Sequence, residues 1–207
     1  MTKTEWFRNT SWNEAIEETF NDRIRRARSK DQYLRIQASL LVASHPEVAL
    51  RLLDSYFELP DPFDKAQAHV DRAAAFTALG RLDEALTSYD AALAQEKLQP
   101  QILTLAYIEL PYLIAAHRVR GQYARAKQLL QDHASRLSFP VDHFRWHAAL
   151  ALMAIDTGDP VLAKRHATNA LEMAAAEHSG FRYHPNLGLV TNQYDNLVQK
   201  MVACRNA

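Results

Sequence analysis

The chain is predicted to be an all-α stack of helical hairpins, and two observations carry that expectation. Helix-forming residues are abundant, while glycine, the usual punctuation of turns, counts only 5 among 207 residues. Three of those five stand in one context: "FTALGRLDEAL", "HRVRGQYARAK" and "AIDTGDPVLAK" place Gly80, Gly121 and Gly158 between two helical runs. Ala85, Ala126 and Ala163 each follow five residues later. A divergent copy, "LLVASHPEVAL", has Ser44 and Ala49 in those positions, so the alanines recur at spacings of 36, 41 and 37. A small residue at this period after a tight turn is what stacked hairpins need. Its short side chain lets the second helix close on the first, and the turn residue accepts a left-handed conformation.

Taken in order, the segment 12–28 has an acidic start (Glu14, Glu17, Glu18) and a basic end, which complements a helix dipole. A helix over 30–43 follows, with Ser29 and Gln32 of "SKDQ" as a capping box, and then one over 46–58. Three more pairs of helices read 62–79 and 82–96, 100–119 and 122–136, 140–157 and 160–177, with Pro62, Pro100, Pro140 and Pro160 at helix starts. Pro111 is expected to kink the helix over 100–119. A last helix over 190–204 carries Val190, Tyr194, Leu197, Val198, Met201 and Val202 on one stripe. The first and last helices fall outside the repeat and read as caps over its open ends. The expectation is therefore a single domain, 1–207, with a cap at 1–29, repeats over 30–177, and a loop and cap at 178–207.

The best copy, Ala66 to Gln99, has Ala73, Phe76, Gly80, Ala85, Tyr89 and Ala92 in the order small, aromatic, turn, small, aromatic, small. The same frame reads Tyr33, Ile36, Leu40, Ala49, Leu53 and Tyr56 in the first copy. It reads Leu110, Leu113, Ile114, Gly121, Ala126 and Leu130 in the third, and His147, Leu150, Ala151, Gly158, Ala163, Ala167 and Ala170 in the fourth. On these residues the chain resembles the tetratricopeptide repeat (TPR) family from about residue 30 to 177. Arg72 departs from the pattern, standing where a large apolar residue is expected. The resemblance implies an α-solenoid of about four hairpins, a right-handed superhelix whose first helices line a concave groove for a partner segment. The groove positions it implies are Asp31, Leu34, Ala38 and Leu41, then Gln67, Val70, Ala74 and Thr77. Ile108, Pro111, Ala115 and Arg118 follow, and then Arg145, Ala148, Leu152 and Ile155. Members that grip a C-terminal carboxylate use Lys, Asn and Arg there. Leu34, Ala38, Val70 and Ala74 lack such donors, whereas Arg118 and Arg145 suit an amphipathic helix with an acidic end; the chain's own C-terminal helix is the other occupant such a groove can receive, which would make it structural.

Charge and cysteine content narrow the function. The 24 basic and 24 acidic residues cancel, which argues against a general nucleic-acid or membrane-surface binder, so neither nucleic acid nor membrane is expected as a partner. One cysteine, Cys204, leaves no disulfide framework, no apolar run approaches about 18 residues, and the N-terminus lacks a signal-peptide core. A cytoplasmic location is expected. There is no glycine-rich phosphate loop, GxSxG elbow or HExxH, so the chain is not expected to be an enzyme or to need a cofactor.

Three stretches remain as candidate sites. "RIRRARSK", Arg23 to Lys30, has five basic residues in eight, which suits a phosphate-binding or acidic-partner patch, but it has no interleaved aromatics; the stronger reading is a dipole-complementing helix end with Asp22 pairing to Arg26. The connector "HSGFRYHPNLG" offers Phe181, Arg182 and Tyr183 as a binding lip, or as side chains folded back on the C-terminal cap. "DHFRWH" puts His143 and His147 one helical turn apart, and with Asp142 and His166 they form the alternative, a metal-dependent enzyme or metal sensor. In the repeat frame, however, His147 takes the packing position of Tyr33, His69 and Leu110. The leading expectation is a non-catalytic protein-binding scaffold, for instance a small adaptor or a toxin-neutralising immunity-type protein.

Overall fold

Asn13 opens the first helix by accepting the amide of Ile16 at 3.0 Å, and ten α-helices follow in the computed structural model, which describes residues 5–206. Residues 1–4 of the expected N-terminal cap, and Ala207, lie outside the described residues. The helices are α1 (Glu14–Arg26), α2 (Lys30–Leu41), α3 (Pro46–Phe57), α4 (Lys65–Ala78) and α5 (Leu82–Leu98). They continue with α6 (Ala106–Ala116), α7 (Tyr123–Asp132), α8 (Pro140–Asp156), α9 (Pro160–Ala174) and α10 (Asp195–Asn206). Among the described residues there is no strand, so the fold is all-α, and no helix is long and apolar enough to cross a membrane.

Departures from the expected boundaries have local causes. Asp61 and Asp64 adopt left-handed backbone (φ 47° and 67°), so α4 begins at Lys65 and Pro62 stays outside it. The buried carboxylate of Glu96 accepts the amide of Thr104 at 2.7 Å and its hydroxyl at 2.6 Å. That ties 99–105 into a connector and delays α6 to Ala106, leaving Pro100 outside a helix. Ser29 occupies the N-cap of α2, but its side chain makes no capping hydrogen bond. Gly80 and Gly158 turn with φ 71° and 78°, as the repeat requires. In the third copy the left-handed residue is Arg118 (φ 55°), because α6 stops at Ala116; Gly121 instead lies in a short 3-10 turn.

The chain divides into two compact units, Met1–Ala106 and Tyr107–Ala207. In the first, α2 packs on α3 and α4 on α5, with α3 bridging to α4 and α1 resting on α2. Before α1, Trp6 and Phe7 meet Tyr33 at ring-centroid distances of 5.1 and 4.5 Å, and the fully buried Gln37 exchanges three hydrogen bonds with Asn9. In the second unit α8 packs on α9, and α10 lies across both. Its core joins Phe144, Ala148 and Ala151 of α8 and Ala167 and Ala170 of α9 to Leu197 and Met201 of α10. Ala49, Ala85, Ala126 and Ala163 are all fully buried, each on the second helix of its copy.

Candidate functional site

The second unit has a pocket of about 540 Å³ where the C-terminal ends of α6 and α8 face α10. Ala115, Ala116, Leu152, Ile155 and Ala203 give it an apolar floor with Cys204, and Arg118, Arg120, Asp156 and Lys200 give it a charged rim. The helix ends place the rim. Arg118 turns the chain out of α6 in its left-handed conformation, its amide bonding to the carbonyl of Ala115 at 3.2 Å. Asp156 is the last residue of α8, just before the Gly158 turn.

Asp156 organises the charges. Arg120 donates Nε to Oδ2 at 2.7 Å and Nη2 to Oδ1 at 3.0 Å, and the Tyr123 hydroxyl donates to Oδ2 at 2.9 Å. Arg118 Nε lies 3.6 Å from Oδ1. The carboxylate is 6% exposed, while the Arg118 side chain is 78% exposed, so the anion sits in the wall and the guanidinium at the mouth. The hydrogen bonds from Arg120 hold the Asp156 pKa down at about 2, and Tyr123 is pushed up to about 12, chiefly by burial and then by Asp156. A carboxyl so strongly acidic keeps its charge at neutral pH and is a poor proton acceptor. Burial raises the pKa of the Cys204 thiol, which lowers its thiolate fraction. The pocket is thus a cationic mouth over an apolar floor.

Of the expected groove residues, Ala115, Arg118, Leu152 and Ile155 meet in this pocket. Leu152 and Ile155 also pack against the core shared with α10, so at α8 the expected groove is filled by the chain's own last helix except at this end. Arg145 donates to Glu109 at 3.2 Å and is 12% exposed, so it braces α8 against α6 rather than standing free. Ile108 is fully buried. Gln67, Val70, Ala74 and Thr77 belong to the other unit: Val70 is buried, Gln67 donates to Asp71 at 3.0 Å, Ala74 is half-buried, and Thr77 donates its hydroxyl to the Ala73 carbonyl. Burial removes Val70 and Ile108 as surface contacts, because their apolar side chains are spent on the chain's own packing.

The connector closes on itself. The Ser179 amide reaches the Pro185 carbonyl at 2.7 Å, and its hydroxyl donates to the His184 carbonyl at 2.7 Å. Phe181 packs tilted against Phe139, with ring centroids 5.1 Å apart, rather than on α10, while Arg182 lies over the exposed Tyr183 ring. The candidate metal residues do not converge. Asp142 Oδ2 accepts the amides of Ser138 and Phe139 at 3.2 and 3.1 Å as the helix cap. His147 and His166 face each other, and among the described residues no three His, Cys, Asp or Glu groups stand where they could hold a metal ion.

Arg120, Asp156, Lys200, Ala203 and Cys204 were missed in the sequence. Lys200 and Cys204 share a helix face by their spacing, but where α10 docks is not written in that spacing. Comparison with protein-family models, with curated proteins and with solved structures found no match.

Proposed function

We propose that this chain is a non-catalytic protein-binding scaffold of the tetratricopeptide kind, a short helical solenoid that seats an apolar side chain and an adjacent carboxylate of a partner segment. The observation that carries this reading is the pocket at the ends of α6 and α8, where Arg118, Arg120 and Lys200 outnumber the one carboxylate, Asp156, over a floor of small and aliphatic side chains. An amphipathic segment with an acidic end satisfies both halves of that surface. The repeat reading is supported by the fully buried alanines at the second-helix positions and by the left-handed Gly80 and Gly158. A cytoplasmic adaptor or an immunity-type protein that neutralises a toxin is the role this binding mode suits.

Reversing Arg118 and Lys200, both exposed, tests the reading without touching the core. Binding of an amphipathic peptide ending in two glutamates is expected to weaken at least about tenfold in R118E/K200E, with helicity unchanged and with affinity falling as salt rises. Equal affinity in the double variant, or substrate turnover by the pure protein, would sink it.

A further inference from the structure

The basic stretch before α2 looks different once folded. The aromatics missing from "RIRRARSK" are supplied from elsewhere in the first unit: Trp6 and Tyr33 line a pocket of about 510 Å³ together with Arg23, Arg26 and Arg28. Asp22, the carboxylate at this pocket, pairs at 3.5 Å with Arg25, which is not part of the lining. Among the described residues, Arg23, Arg26 and Arg28 have no ion-pair partner, and all three are exposed. The aromatic wall is built rather than incidental. Trp6 packs against Phe20 and Tyr33 at 5.3 and 5.1 Å, and Asn9 donates to the Trp6 carbonyl at 2.8 Å. Asn9 is itself clamped by the fully buried Gln37.

We infer that this pocket binds a free nucleoside phosphate, with the base against Trp6 and Tyr33 and the phosphates on Arg23, Arg26 and Arg28. Guanidinium groups without internal partners are strong phosphate donors, and an indole held tilted at 59° to a phenol offers a planar apolar surface to a base. Size favours one nucleotide over a strand. The cavity lies in the range of small-ligand sites, and a chain with zero net charge offers no longer cationic track for a polyanion.

Titration of the full-length protein with adenosine 5′-diphosphate, followed by calorimetry and by tryptophan fluorescence, tests this. Binding with indole quenching is expected. Adenosine alone and inorganic phosphate alone should each bind at least about tenfold more weakly, since each keeps half of the contacts. R26E/R28E changes exposed side chains only and is expected to cost at least about tenfold, with the circular dichroism spectrum unchanged. Four results would overturn the inference: no heat or quenching with the diphosphate at millimolar concentration, unaltered affinity in R26E/R28E, inorganic phosphate binding as tightly as the nucleotide, or tighter binding of either a single-stranded octanucleotide or a phosphate-free acidic peptide at the same arginines.

Discussion

His147 and His166 present their Nδ1 atoms to each other at 2.9 Å, a contact that holds one proton and not two. The pKa of His147 is lowered to about 4, first by burial and then by His166, His143 and Arg165; that of His166 is lowered by burial, Arg165 and Lys127. The native state therefore refuses protons that the unfolded chain accepts. Stability is complete above the ordinary histidine pKa of about 6.5 and falls as pH drops from there toward 4. Asp71 acts in the opposite sense. Burial raises its pKa to about 6, so the native state is favoured as pH falls through 6 toward the ordinary carboxylate range. His147→Leu, which puts the residue of the third copy into the fourth, isolates the histidine contribution because Asp71 is unchanged. The variant is expected to lose less melting temperature than the parent between pH 7 and pH 5; an identical loss would show that the pair does not govern this window. The approach of His147 to His166 was legible in the sequence, since a hairpin places those two registers side by side. The employment of Asp142 as a cap was not, because the amides of Ser138 and Phe139 reach it only through the turn before α8.

At the scale of the element, the informative feature is the alanine that lets each second helix lie against the first. Ala163 of α9 is fully buried, and α8 and α9 pack closely along their lengths. Ala163→Leu forces added volume into that contact and is expected to cost about 1–3 kcal/mol, read as a lower denaturation midpoint. Lys164→Leu at the adjacent exposed position should leave the midpoint within about 0.5 kcal/mol. The hairpin boundaries were readable because period and turn agree there. They failed at α6, where the decisive interaction, Glu96 with Thr104, joins residues eight apart that carry no helical signal. At its other end, the early stop of α6 at Ala116 moved the left-handed turn from Gly121 to Arg118, and it thereby set a charged residue at the mouth of the pocket.

For the molecule as a whole, the placement of α10 matters most. Met201 is fully buried against α8 and α9, so Met201→Asp puts an unpaired carboxylate into that core and is expected to cost more than about 3 kcal/mol. Hydrogen exchange should then accelerate across α8, α9 and α10, and the pocket lined by Lys200 and Cys204 should lose its peptide affinity. Unchanged protection in α9 would mean that α10 is dispensable. The all-α class, nearly every helix and the buried alanine positions were legible along the chain, because these depend on local propensity, turn chemistry and a repeated spacing. Tertiary structure alone decided that α10 fills the expected groove at α8, and that Asp156 gathers Arg118 and Arg120 beside Lys200. It also brought Trp6 and Tyr33 to the arginines that end α1. Each of these sites joins side chains far apart along the chain, and no periodicity encodes where one amphipathic face will find another.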